Sequence, residues 1–428
     1  MDLNVACWLY GETWIRLFKE FQFSPQVLAD RQLSLHGTTL AGEFKENLNM
    51  TTRTVAAITT ILAFIFLPIN ASTCAQQSVD HQRLKVAASS IQDTAKEPFI
   101  DKFSPTAAAK YLDGRAHLFE KDCFACHATF AYMPARSVLD PAAKEVIQSR
   151  LMLEKFVRGY IYQPPLAKKG NNVPRAQRIL AAVELARHDA VMTGHLQQLT
   201  RKALDHMWEY QLDDGGIDWV RYSEPPSAVD DYWGIAIMAI GAGIAPDYYS
   251  STRKAKTGIE KLRGWFAKHP PTNLHERGLV LLAHQAVGKV IEADECNKFL
   301  GAFFRQQLPD GGWSVAGLAN WKRLDKQLLD PTQSDGYASA FATYVLRTSG
   351  VLVDDVRLGK AINWLKTHQR RSGGWYAPSQ RKQDMLFSYT ATSFAVQALA
   401  ACGEIKTPKV SQAELSSSAV GIRSYLGY

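Results

Sequence analysis

Gln307-Leu-Pro-Asp-Gly-Gly-Trp313 recurs in the chain as Gln211-Leu-Asp-Asp-Gly-Gly-Ile217 and as Gln369-Arg-Arg-Ser-Gly-Gly-Trp375. Each copy has Gln, three residues, Gly-Gly and a large apolar residue. A Gly-Gly pair after a helical stretch stops the helix, because glycine enters the left-handed region without a Cβ clash. The Trp is then expected in the groove between helices, with the Gln amide tying its helix end to the neighbouring turn. One such turn would say little, whereas three in register define a repeat.

Working outward, each turn leads through a loop into a helix rich in small residues. These are Asp231-Tyr-Trp-Gly-Ile-Ala-Ile-Met-Ala-Ile-Gly-Ala-Gly243, Asp335-Gly-Tyr-Ala-Ser-Ala-Phe-Ala-Thr-Tyr-Val-Leu346 and Tyr389-Thr-Ala-Thr-Ser-Phe-Ala-Val-Gln-Ala-Leu-Ala400. They are apolar on most faces, as suits helices packed on all sides. More amphipathic stretches alternate with them, at 257–268, 294–307 and 356–368. A further copy begins at Asn273-Leu-His-Glu-Arg-Gly, with Pro270-Pro271 as its turn signal. The pattern predicts six pairs: 127–139 with 141–160, 176–194 with 196–211, 229–245 with 255–268, 274–288 with 292–307, 334–349 with 355–369, and 387–402 with 410–425. Units of this kind bury their faces only against neighbours. The expected fold is all-α, an α/α toroid of about six helical hairpins, with an open solenoid as the alternative arrangement.

The rest of the chain fits around this repeat. Of 428 residues, 46% are hydrophobic and 11% aromatic, enough for a large core. The net charge of +8 is spread over many segments, and the basic clusters are as short as Arg370-Arg371 and Arg381-Lys382. No concentrated basic stripe marks a nucleic-acid surface, so no nucleic-acid partner is expected. Near the N-terminus, Met50-Thr-Thr-Arg53 precedes an apolar run from Val55 to Ile69 and the small residues Ala71-Ser-Thr-Cys-Ala75. That is the layout of a secretory signal over 50–75, with an uncleaved anchor as the alternative. Residues 1–49 then read as an over-long gene start, 76–104 as a linker and 105–428 as the repeat domain. The protein is expected to be exported, periplasmic or membrane-associated, with peripheral membrane contact.

The Gln-x3-Gly-Gly-Trp turns resemble the QW motifs of squalene–hopene and oxidosqualene cyclases, and similar turns occur in protein prenyltransferase β subunits. The resemblance covers roughly residues 105–405 and extends to exported bacterial proteins that join one such toroid to a cysteine–histidine motif. It implies a central cavity for an isoprenoid or another apolar small molecule, lined by Trp233, Tyr337, Phe341, Tyr344, Tyr389 and Phe394, whose rings would stabilise carbocations. Cyclases protonate an alkene with the middle Asp of Asp-x-Asp-Asp. The matching stretch is Ala228-Val229-Asp230-Asp231, which has Ala in place of the first Asp. Asp230 would be the acid and Asp231 its neighbour, since paired carboxylates keep one protonated. The alternative is that both cap the helix that follows. The chain has room for one helical barrel where hopene cyclases have two. It also lacks an Asp-Asp-x-x-Asp diphosphate site and a Cys-Gly-Glu-Gln thioester sequence. His275, His284, Asp294 and Cys296 lie near each other without the spacing of a zinc site.

A second signal is Cys123-Phe-Ala-Cys126-His127, the sequence of a c-type haem attachment site. Two thiols on one turn can bond to the haem vinyl groups while His127 coordinates the iron. The preceding Gly114-Arg-Ala-His-Leu-Phe-Glu-Lys-Asp122 resembles the helix leading into the haem site of class I cytochromes c. Haem c and a redox partner are therefore expected alternatives, with a Cys123–Cys126 disulfide and a half zinc site also open. No sixth ligand is fixed by the sequence; His117, Met152 and Met192 are candidates. Three functions remain in view: an isoprenoid-binding, cyclase-like toroid acting through Asp230 as an isomerase, a haem redox protein on a toroid scaffold, and a non-catalytic binding module.

Overall fold

A computed structural model describes residues 93–123, 129–170, 172–220, 230–321, 329–378 and 385–408. The expected signal segment, most of the linker, Cys126, His127 and the expected helix at 410–425 lie outside these residues. Among the described residues the chain is all-α. It has thirteen α-helices, and its one extended pairing is an isolated bridge between Phe99 and Arg370. No described helix is long and apolar enough to cross a membrane.

Six helices form the small-residue set: α2 (Thr129–Leu139), α4 (Asn172–Met192), α6 (Asp231–Ile244), α8 (Leu274–Val287), α11 (Gly336–Thr348) and α13 (Met385–Ala401). Their starts are fixed by side-chain caps where polar residues precede the apolar run. Asp230 accepts Trp233 N–H, Asn273 accepts Glu276 N–H, and Asp335 accepts both Tyr337 and Ala338 N–H. Successive members pack on one another from α2 to α13, and α13 also packs on α2. Several run parallel. Trp233 meets His275 and His275 meets Tyr337 at their starts, while Arg347 Nε donates to Ala401 O at their ends.

The amphipathic set is α1 (Pro105–Cys123), α3 (Lys144–Arg158), α5 (Gln198–Met207), α7 (Arg253–Lys268), α9 (Ala293–Arg305) and α12 (Val356–Thr367); a single turn, α10 (Val315–Leu318), completes the thirteen. Sequence reading paired α13 with residues 410–425, which lie outside the described residues; among the described residues α1 packs against both α13 and α2. Its buried residues Ala108, Tyr111, Leu112 and Arg115 recur at helical spacing, which is the stripe that placement requires.

The three glycine turns explain how the amphipathic helices are set. In each, the first glycine has φ between 93° and 100°, and the same two backbone bonds close the loop. The Gln amide donates to the carbonyl of its own turn and to a second carbonyl beyond it. That second carbonyl is Gly258 in α7, Arg357 in α12, and Ser104 at the start of α1. The Gln amide therefore ties its helix end to the adjoining turn, as expected, and also to the next amphipathic helix. A Cβ on Gly215, Gly311 or Gly373 would collide with the backbone of Lys261, Lys360 or Ala107, each one turn further along that helix. An aromatic four residues on then covers the turn. Trp265 lies against Gly216, Trp364 donates its indole N–H to Asp310, and Tyr111 lies against Gly374. The third turn thus grips the first helix in the register that the other two use on their successors.

Trp313 and Trp375 enter the groove as expected, each donating its indole N–H to a carbonyl ten residues back (Phe303 and Leu365, both 2.8 Å). Ile217 fills the same place without a donor. Residues 97–104, read from sequence as linker, are held on the third turn, with Ile100 N–H on Gln369 O and Arg371 N–H on Pro98 O.

Candidate functional site

All six small-residue helices contribute to one cavity. Its lining includes Phe130 and Pro134 from α2, Arg187 from α4, Trp233, Ile237 and Ile240 from α6, Leu279 and Leu282 from α8, Tyr344 from α11, and Phe394 and Gln397 from α13. Small residues let these helices approach closely: a Cβ on Gly241 would meet Val183, and one on Gly243 would meet Ala286 O. The space left is about 40 Å³. That is enough for a few water molecules and far below the several hundred Å³ of a pocket that encloses a drug-sized ligand.

Of the aromatic residues expected to line a cavity, Trp233, Tyr344 and Phe394 do so. Tyr337, Phe341 and Tyr389 are fully buried and stand behind that lining. Tyr337 and Phe341 belong to an aromatic block towards the helix starts. Trp233 lies 5.5 Å from Phe130 and stacks at 5.9 Å on His275, and His275 lies 5.0 Å from Trp321 and 4.7 Å from Phe341. His275 Nε2 shares a 3.0 Å hydrogen bond with Tyr337 Oη, while its Nδ1 is buried without a partner. Burial holds the His275 imidazole down at about 3, so it stays neutral.

Asp230 and Asp231 lie at the same end. Asp230 Oδ1 accepts Trp233 N–H at 3.0 Å and Asp231 Oδ1 accepts Trp219 N–H at 3.2 Å. Asp230 therefore caps α6 and fixes the first turn from which Trp233 projects, while Asp231 ties that turn to the loop at Trp219. The corresponding cap two repeats on, Asp335, is buried and takes three backbone N–H groups, including Val315 at 2.6 Å. Burial pushes it up to about 7 despite those bonds. Asp335 also borders a recess of about 400 Å³, together with Asp310, Trp364, His368 and Arg370. The carboxylates of Asp310 and Asp335 are committed to protein donors, among them Trp364 Nε1 and Val315 N.

The groups that sequence reading missed are Glu184 and Arg187 of α4. Glu184 is 1% exposed, and its Oε2 lies 3.3 Å from Arg187 Nε. Burial pushes the Glu184 carboxyl up to about 7, with Arg187 pulling in the other direction. Arg187 lines the cavity and keeps 19% of its side chain exposed. A signal was available in Ala181-Ala-Val-Glu184-Leu-Ala-Arg187, where an acid and a base at helical spacing interrupt an apolar run. Cys123 is the last residue of α1, and the rest of the cysteine–histidine motif lies outside the described residues. Cys296 and Cys402 are free thiols, with burial raising Cys402 to about 11. Among the described residues no group of three or more His, Cys, Asp or Glu gathers to hold a metal. No family model and no curated protein matches this chain.

Proposed function

We propose that this protein is an α/α toroid of the squalene-cyclase-like kind, exported from the cytoplasm, that binds the apolar end of a small molecule in its axial cavity. Support for the ring comes from the packing of α13 on α2 and from the Gln369–Ser104 tie. The single observation that carries the binding reading is one cavity lined by every small-residue helix, with Trp233, Leu279 and Phe394 as its apolar walls. Its volume of about 40 Å³ suits only the terminal group of a chain, not an enclosed C30 polyene. Asp230, the residue matching the cyclase acid, supports the wall by capping α6. Binding without cyclisation is the function this geometry favours.

The test is titration with straight-chain and prenyl probes of increasing length, read by tryptophan fluorescence and calorimetry. Filling the cavity with Ile237→Trp is expected to weaken binding at least about tenfold, with circular dichroism reporting that the helices remain. Absence of binding by the wild type would overturn this reading. Squalene is expected to return unchanged, and a cyclic product lost in Asp230→Asn would instead establish Asp230 as an acid.

A second reading rests on Cys123-Phe-Ala-Cys126-His127, which links two helices, α1 and α2, that pack on each other. There the two thiols would hold a haem c and His127 its iron, supplying one-electron chemistry with a redox partner. A haem stain and visible spectrum after periplasmic expression test it, and matured protein without a Soret band would remove it.

A further inference from the structure

The axial cavity contains one charged side chain amid apolar walls, and that side chain is only half engaged. Arg187 Nε lies 3.3 Å from the Glu184 carboxylate, an ion pair that holds the head by charge without a hydrogen bond. Its two Nη groups make no hydrogen bond to any described residue, although the head lines the cavity. The other polar lining groups are committed within their own helix. Thr390 Oγ1 donates to Leu386 O, and Gln397 donates to Ser393 O and Ser393 Oγ. Glu184 itself is enclosed, and neither carboxylate oxygen makes a hydrogen bond. Arg187 thus has Nη donors to spare at a partly exposed edge of the cavity.

Position along the helices gives a direction. Arg187, Ile240 and Tyr344 lie towards the C-terminal ends of α4, α6 and α11 and keep partial exposure. Trp233, by contrast, sits in the first turn of α6 and is buried. Buried Trp233 therefore lies at one end of the cavity, and Arg187, Ile240 and Tyr344 form the other, partly exposed end. A ligand entering there would place its apolar end against Trp233, Leu279 and Phe394 and leave its head at the guanidinium.

We propose that the axial site is built for an amphipathic carboxylate, its carboxylate held by the Nη edge of Arg187 and its alkyl or prenyl end seated in the apolar cavity. This rests on the cavity-binding reading above and adds the chemistry of the head group. A planar carboxylate matches the fork of a guanidinium, and its single charge matches the single cation in the lining. A phosphate dianion would bring a second charge that nothing in the lining neutralises. Glu184 acts as a positioning residue that holds Arg187 by charge from 3.3 Å.

Isothermal titration with decanoate, decanol and decyl phosphate tests the proposal on the full chain. Decanoate is expected to bind at least about tenfold more tightly than decanol, the scale of one charge-assisted hydrogen-bonded pair. Because Arg187→Met alone would leave Glu184 buried and unpaired, the informative variant is Glu184→Gln/Arg187→Met, which removes both charges. It should lose the preference for decanoate while keeping decanol affinity within about threefold. Equal wild-type affinity for decanoate and decanol, or a preference that survives the double variant, overturns the carboxylate assignment and leaves cavity binding standing. If none of the three binds the wild type, cavity binding itself fails. A preference for decyl phosphate would reassign the head group.

Discussion

Replacing Gly373 with Ala attacks the tie between the third glycine turn and the first helix, and a built-in control separates its two costs. Gly373 has φ of 100°, and a Cβ there would strike Ala107 O, deep inside contact distance. Gly350 has φ of 96° with nothing within 4 Å of a Cβ. Gly350→Ala therefore incurs backbone strain alone, about 1–2 kcal/mol. Gly373→Ala incurs the same strain and must also push α1 away. Retreat of α1 breaks the Ser104 N–H to Gln369 Oε1 bond (2.8 Å) and the return bond from Gln369 Nε2 (3.0 Å), at about 1 kcal/mol each. It also loosens Tyr111 from Gly374, adding about 1–2 kcal/mol of lost packing. The total is about 4–6 kcal/mol against about 1–2 for the control. Urea unfolding curves with matched slopes would read both numbers, and hydrogen exchange would show the α1 amides losing protection in Gly373→Ala alone. Equal destabilisation by the two variants would refute the argument that α1 is clamped by this turn.

Glu184, raised by burial from 4.5 to about 7, takes up a proton on folding, so its contribution to stability is fully present below about pH 4.5 and is lost as the pH rises towards 7. The loss is at most about 3 kcal/mol, and Glu184→Gln should flatten the stability profile between pH 5 and 7; an unchanged slope would exclude Glu184 as its source. His275, held down at about 3, acts in the opposite sense, its contribution fading as the pH falls below 6.5. Asp230→Asn should keep the cap of α6 and cost under about 0.5 kcal/mol, whereas Asp230→Ala should cost about 1 kcal/mol by thermal melts. Equal losses in the two would argue against a capping role. Trp375→Phe should cost about 1–3 kcal/mol, because it leaves Leu365 O without the buried indole donor, while Ile217→Val should cost no more than about 1.5 kcal/mol.

The helices and their alternation were legible in the chain because both signals are local. Gly-Gly after a helix and a run of small residues each act through near neighbours, and Gln307-Leu-Pro-Asp-Gly-Gly-Trp313 carries its turn in seven residues. What joins α12 to α1 was hidden, because Gln369 and Ser104 stand 265 positions apart and nothing near either names the other. The sequence offered Asp230 as an acid or as a cap, and the cap is visible in its bond to Trp233 N–H, while the acid role awaits the squalene test. Arg187 and Glu184 were overlooked for a different reason. Their significance depends on burial, and a charged pair at this spacing on an exposed helix would be unremarkable surface.

The hold of the third turn on α1 has a consequence for how the chain is made. Residues 104–112 leave the ribosome first among the described helices, yet their partners at 369–375 and in α13 are synthesised last. Until then α1 has only α2 to pack on, and Tyr111 and Leu112, fully buried in the finished molecule, lack their partners from the last repeat. Contacts this far apart form slowly, and an apolar stripe left waiting is open to association with other chains. Newly made protein should therefore depend on chaperones that cover this first helix until the last repeat emerges. A circular permutant that begins near residue 160 would make α1 after α13, and should fold with less need of such cover.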